Sequence, residues 1–306
     1  MNSQQPARIK GVLSPVVTPF SEDLSVNENK FVDHCKWLVG NGVGLAIFGT
    51  NSEANSLSVS ERLYLTDKLL EAGIDASRLM PGTGCCSIPD TVKLTQHATK
   101  HGAAGVLMLP PFYYKDISED GLFAYFSEIV ERVGSSALRI YLYHIPQVTQ
   151  VAITESLIER LLKRYPESFA GIKDSSGDWA GTQKFIHAFA ANGFDVFPGS
   201  EIFMLDALRI GGVGCISATA NVNPKGIVEL YENWQSYQAD ALNETMTSIR
   251  KTCQMFAVLP AMKDIIATYR KDPTWAKVRP PLMGLDEKSS ASLKAKLDLL
   301  NFEMKF

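Results

Sequence analysis

Long apolar runs are missing from this 306-residue chain. Nowhere do about 18 uninterrupted apolar residues suggest a membrane span. The polar stretch Met1-Asn2-Ser3-Gln4-Gln5-Pro6 has no signal-peptide core, so a cytoplasmic protein with no membrane partner is expected. Positive charge is not in excess: 30 Lys and Arg face 33 Asp and Glu, and no basic stripe forms to grip phosphate, which excludes nucleic acid as a partner. Cysteine is sparse and odd in number, and the adjacent Cys85-Cys86 has neither zinc-knuckle nor redox spacing, so buried free thiols are expected. Histidine is scarcer still. His34, His97, His101, His144 and His187 form no HxH or HExxH pattern; His97 and His101 share an i, i+4 face but have no third ligand nearby in sequence, so no metal is expected. Gly82-Thr83-Gly84 lacks the third glycine of a dinucleotide fingerprint, and neither Walker spacing nor a GxSxG elbow occurs, so no nucleotide cofactor is indicated.

What the chain does have is an alternation. With 45% hydrophobic and 21% charged residues it can bury one large core. Short apolar runs recur at Val12–Val17, Gly44–Phe48, Leu79–Thr83, Ala104–Leu109, Arg139–His144, Phe169–Lys173, Phe194–Phe197 and Gly212–Ser217. Amphipathic stretches lie between them, among them Asn27–Val39, Val59–Glu71, Ile88–Lys100, Glu119–Val133, Ile153–Leu162 and Asp178–Ala190. Eight strands each followed by a helix predict an α/β fold, a (β/α)8 TIM barrel, rather than a doubly wound open sheet. Residues 1–224 are expected to form the barrel with the catalytic site. Residues 225–306 are expected to supply the last barrel helix and a helical extension, from helical patterns at Lys225–Tyr237, Asp240–Phe256, Ala261–Lys271 and Lys288–Leu300.

Barrel active sites assemble at the carboxyl ends of the strands. Lys173 ends the run Phe169-Ala170-Gly171-Ile172 and precedes the turn Asp174-Ser175-Ser176-Gly177-Asp178. Desolvation at such a strand end favours the free amine, a nucleophile able to attack a ketone carbon and form a Schiff base. The competing reading is a lysine that snorkels to solvent and pairs with Asp174 or Asp178. Tyr143 ends the preceding strand and could shuttle protons if a hydroxyl such as that of Thr50 holds it in a relay; it could equally be a structural tyrosine with a satisfied hydroxyl. The turn Gly49-Thr50-Asn51-Ser52 offers backbone N–H donors to a carboxylate without arginine, and read alone it is an ordinary loop and helix cap. His144 reads as a structural neighbour.

The set Gly49-Thr50-Asn51-Ser52-Glu53, Tyr143-His144-Ile145-Pro146 and Gly171-Ile172-Lys173-Asp174 resembles the dihydrodipicolinate synthase and N-acetylneuraminate lyase family of pyruvate-dependent class I aldolases. The resemblance extends from Gly11–Phe20 through Pro111-Phe112-Tyr113 and Ser217–Asn221 to Pro260-Ala261-Met262-Lys263. It implies a TIM barrel with a carboxy-terminal helical part, assembled as a homotetramer that is a dimer of dimers, with no metal or organic cofactor. It casts Lys173 as the Schiff-base lysine, Tyr143 as the proton shuttle, Thr50 as its relay and Tyr113 as a tyrosine lent across the tight dimer interface. Asn51, with its backbone N–H, matches the position that holds the pyruvate carboxylate. Ser52 and Ile216 join the substrate-binding set, and Glu201 matches a hydroxyl-binding glutamate.

Val148 stands where dihydrodipicolinate synthases carry an arginine that clamps the carboxylate of aspartate semialdehyde, while Phe112 and Cys86 replace the tyrosine and asparagine of lysine-inhibited members. Ser200 and Ala218 replace the aspartate and serine with which neuraminate lyases read a sugar chain. The expectation is therefore a lyase or aldolase that joins pyruvate, or another 2-oxo acid, to an aldehyde, or cleaves a 4-hydroxy-2-oxo acid such as a 2-keto-3-deoxy sugar acid. The alternatives are a dihydrodipicolinate synthase condensing pyruvate with aspartate semialdehyde, a dehydratase or deaminase using the same imine, and a noncatalytic regulator that binds a 2-oxo acid.

Overall fold

Seven short parallel strands, β1 (Gly11–Ser14), β2 (Gly44–Leu45), β3 (Val106–Met108), β4 (Ile140–His144), β5 (Phe169–Asp174), β6 (Asp195–Pro198) and β7 (Gly214–Ile216), form the centre of the computed structural model, which describes residues 8–306. They pair as β2-β1-β7 and β3-β4-β5-β6. The stretch 79–83 joins the two groups. Met80 N–H donates to Leu45 O at 2.9 Å and Gly82 N–H to Ile47 O at 2.7 Å, while Leu107 N–H donates to Pro81 O at 2.8 Å. On the far side Val213 N–H reaches Val196 O at 3.2 Å, so the hydrogen bonding runs round a (β/α)8 barrel. The expected strand over Leu79–Thr83 is present only as two isolated bridges. Pro81 lacks the N–H that a continuous ladder needs. Likewise the run Gly44–Phe48 shortens to Gly44–Leu45, and Phe48 turns into the left-handed region at φ 60°.

The barrel interior is packed, not open. Leu13, Ala46, Met80, Leu107, Tyr141 and Phe197 fill it, whereas Ile140, Leu142, Ile172 and Val196 point outward against the helices. The Leu, Ile, Val, Met and Phe side chains among them contribute about 1.5–3 kcal/mol each by leaving water. Gly171 makes room for the Tyr141 ring: a Cβ there would sit 2.3 Å from Asp195 O and 2.8 Å from Tyr141 Cδ1.

Around the barrel run α1 (Glu28–Gly40), α2 (Val59–Glu71), α3 (Ile88–Lys100), α4 (Glu119–Val133), the single turn α5 (Pro146–Thr149), α6 (Glu155–Arg164), α7 (Trp179–Phe189), α8 (Met204–Arg209) and α9 (Pro224–Glu232). Their starts are chemically marked. Ser58 and Glu61 make a capping box on α2, Thr154 caps α6 and Asp178 caps α7. The turn α5 was not foreseen; Pro146 pre-sets its first residue. Beyond the barrel lie α10 (Ala239–Gln254), α11 (Val258–Arg270) and α12 (Glu287–Leu299). Among the described residues no helix is long and apolar enough to cross a membrane.

Candidate active site

Lys173 and Tyr143 are register partners on β5 and β4, so two adjacent strands carry them to the same barrel mouth. Both are buried. The Lys173 Nζ lies 4.2 Å from the Tyr143 ring centroid and forms no ion pair among the described residues. Neither carboxylate that could have neutralised it does so. Asp174 accepts from Ser176 N–H at 2.9 Å and from Thr182 Oγ1 at 2.5 Å, and Asp178 is spent on Ala180 N–H at the start of α7. The nitrogen is left without a carboxylate among the described residues and lines the cavity.

Tyr143 Oη and Thr50 Oγ1 share a hydrogen bond of 3.2 Å. Burial alone would raise the Tyr143 phenol, but positive charge at Lys173 and hydrogen bonds involving Thr50, Lys173 and Ser175 outweigh it and hold the group below its ordinary value. His144, next along the strand, points away from this chemistry. Its Nδ1 accepts from Ile153 N–H at 3.1 Å, and burial, partly opposed by Asp174, lowers its basicity.

A cavity of about 390 Å³ opens above the pair, walled by Thr50, Asn51, Tyr143, Val148 and Lys173 from the expected set. At the turn 50–52 the Ser52 N–H already donates to Gly49 O at 3.1 Å, whereas the N–H groups of Thr50 and Asn51 have no partner among the described residues. The anion-binding capacity of this turn therefore rests on its first two residues. Ser52 stands behind the wall, its carbonyl accepting from Thr18 Oγ1 at 2.7 Å. Ile216 is wholly buried in the barrel interior. Glu201 is also set back: its two oxygens accept from the Ser217 and Thr219 hydroxyls, which withdraws it from the cavity surface. Tyr113 is 75% exposed and packs edge-on against Tyr114, outside the cavity of its own chain.

The helical extension proves to be part of the site. Arg250 and Gln254 on α10 and Val258 on α11 complete the cavity wall with Phe203 and Ser200. Below it, Lys263 on α11 is fully buried, bonded to Glu53 at 2.6 Å and to Thr18 O at 2.8 Å. Glu53 holds a left-handed conformation directly after the turn 50–52 and also accepts from Arg279 N–H at 3.0 Å. The extension thus fixes the loop that carries Thr50 and Asn51. Reading the sequence for strand ends missed Arg250, Gln254, Val258 and Phe203. The available signal was Arg250 itself, a charge on the same helical face as Met246, Ile249 and Cys253.

Elsewhere, Cys35, Cys215 and Cys253 are buried free thiols as expected, but Cys85 and Cys86 are half-exposed in the loop before α3. Asp67 on α2 joins His97 and His101, with ligand atoms within 4.8 Å of one another. This third donor comes from a neighbouring helix, invisible to local spacing. None of the three lines the cavity, and the His97–Asp67 bond of 2.8 Å accounts for the contact.

The fold and the amine at its mouth define the class: an α/β-barrel enzyme of the lyase and aldolase kind. The chain belongs to the dihydrodipicolinate synthetase family, whose model matches residues 8–300. It is 32% identical over 292 residues to an uncharacterized DapA-like lyase of Chloroflexus aurantiacus, covering 94% of this chain and 96% of that one. The crystal structure of dihydrodipicolinate synthase from Agrobacterium tumefaciens superposes with a TM-score of 0.88 at 28% identity, covering 95% and 99% of the two chains. An E. coli K12 prophage protein of the dihydrodipicolinic acid synthase family, solved in complex with pyruvate, gives 0.87 at 28% identity over 96% and 99%.

Proposed function

We propose that this protein forms a Schiff base between Lys173 and pyruvate or a longer 2-oxo acid, and uses it to make or cleave the C3–C4 bond of a 4-hydroxy-2-oxo acid. The observation that carries the reading is a buried amine without a counter-ion among the described residues, 4.2 Å from the ring of a phenol that is itself hydrogen-bonded to Thr50. The E. coli relative's complex with pyruvate supports the choice of 2-oxo acid.

In the cleavage direction the Lys173 amine attacks C2 of the 2-oxo acid and water leaves, giving an iminium. The Tyr143 oxygen takes the proton of the C4 hydroxyl. The C3–C4 bond breaks, its electron pair runs to the iminium nitrogen, and an aldehyde departs. Protonation of the enamine at C3 and hydrolysis release pyruvate and restore the amine. Positive charge at the lysine nitrogen, as ammonium or iminium, is what lowers the phenol, so the base is tuned by the intermediate it serves. The free N–H groups of Thr50 and Asn51 hold the carboxylate. No metal or organic cofactor enters this scheme. Tyr113 would serve the cavity of a second copy, its exposure on this chain supporting that role within a dimer-of-dimers homotetramer. A neutral side chain at the rim, Val148, favours an aldol partner other than aspartate semialdehyde.

Intact-mass spectrometry after treatment with pyruvate and sodium borohydride, followed by peptide mapping, tests the reading. A reduced pyruvyl adduct confined to Lys173 is expected. No adduct with pyruvate or with longer 2-oxo acids would refute the mechanism and leave the noncatalytic binding role.

A further inference from the structure

Arg250 is the one charged side chain that reaches the Lys173 cavity from outside the barrel strand ends and their loops. It is 8% exposed, and neither Nε nor Nη1 has a hydrogen-bond partner. No carboxylate pairs with it among the described residues. Glu201 also contributes charge around Cys253, but its oxygens are held by Ser217 and Thr219. Burying an unpaired guanidinium is costly, and such groups are normally matched by an acid or by a ligand. Among the described residues the cavity wall contains two cationic side chains, Lys173 and Arg250, and no acidic one.

We propose that Arg250 binds an anionic group at the far end of the substrate, and that the substrate class is a dicarboxylic 2-oxo acid. The inference rests on the imine reading above, which assigns Lys173 to the keto end. Gln254 follows Arg250 by one helical turn on the same face of α10 and adds an amide beside the guanidinium. Phe203 and Val258 add apolar surface to the same wall, suited to a short carbon chain. One guanidinium at the distal end matches a monoanionic carboxylate better than a phosphate dianion, for which a second cation would be needed. Nε and Nη1 are sealed from solvent, so Nη2 is the guanidinium nitrogen that meets the carboxylate at the cavity wall.

The test uses matched pairs of 2-oxo acids of equal length, 2-oxoglutarate with 2-oxopentanoate and 2-oxoadipate with 2-oxohexanoate, measured by calorimetry and by borohydride trapping. The intact protein is expected to bind at least one dicarboxylate about tenfold or more tightly than its partner. That preference should collapse towards one in R250M and survive in part in R250K. Equal affinity within both pairs for the wild type overturns the proposal without any variant being needed. An equal loss for both members of a pair in R250M also overturns it, by assigning the residue to structure alone. Tighter binding of a 6-phospho-2-keto-3-deoxy sugar acid than of either dicarboxylate would overturn the carboxylate assignment. The two readings separate cleanly: a dicarboxylate preference that depends on Arg250 with no trapped adduct sinks the imine and keeps the subsite, whereas an adduct without preference does the reverse.

Discussion

Two lysines are buried in this molecule among aromatic rings, one at the barrel mouth and one in the helical extension. Lys173 Nζ lies 4.2 Å from the Tyr143 ring centroid and Lys263 Nζ 4.5 Å from that of Phe20. Lys263 is matched by Glu53 and a carbonyl; Lys173 is matched by no acid among the described residues. Burial pulls Lys263 down to about 8 against the opposing Glu53 carboxylate, yet with that partner at 2.6 Å it works as a fixed strut. The same residue type therefore serves two ends. A neighbouring carboxylate holds a buried lysine in place as structure, whereas a buried lysine without one keeps its nitrogen available to a ligand.

The strongest way to break this comparison is K173M, expected to abolish the borohydride adduct and lower turnover by about 10³-fold or more, while thermal stability stays equal or rises because an uncompensated buried amine is removed. A variant that keeps turnover would overthrow the assignment. K263M should behave in the opposite sense: a loss of about 3–5 kcal/mol in denaturant unfolding, since Glu53 is left buried and unpaired, with adduct formation still detectable. Adding E53Q should recover part of that loss. Were K263M as stable as wild type, Lys263 would not be the strut described.

A smaller effect separates two tyrosines that share the inner face of β4. Y143F is expected to slow turnover about 10²-fold with little change in stability, because it removes the proton shuttle. Y141F, which loses a 3.0 Å bond to Asp195 deep in the barrel, should cost about 1 kcal/mol and leave turnover alone. Equal kinetic effects of the two substitutions would erase the distinction between the barrel's ends.

The mildest test concerns His34, which packs between Trp37 and Trp275 of the extension. Burial, reinforced by Arg270, lowers it from 6.5 to about 3. Between those values the unfolded chain takes up a proton that the folded one refuses, so stability falls as pH drops below about 6.5, by at most about 1.4 kcal/mol per unit. Unfolding curves from pH 7 to 5 should show that slope in the wild type and a shallower one in H34Q; identical slopes would remove His34 as the cause.

Much of this was legible in the residues alone. Short apolar runs alternating with amphipathic stretches determined the barrel, because strand and helix periods are local properties of a chain. The run 169–173 with its polar turn marked Lys173, and Tyr143 stood at the end of the preceding strand; parallel neighbours end at the same mouth, so their meeting followed from topology. Tertiary structure alone decided the rest. Lys173's freedom depends on where Asp174 and Asp178 spend their hydrogen bonds, and Glu201's withdrawal on two hydroxyls 16 and 18 residues away. Arg250 and Lys263 reach the site from helices that periodicity describes only as amphipathic, Lys263 meeting Glu53 across 210 residues of sequence. Periodicity records which face of an element is buried; it carries no information about which distant charge that face will meet.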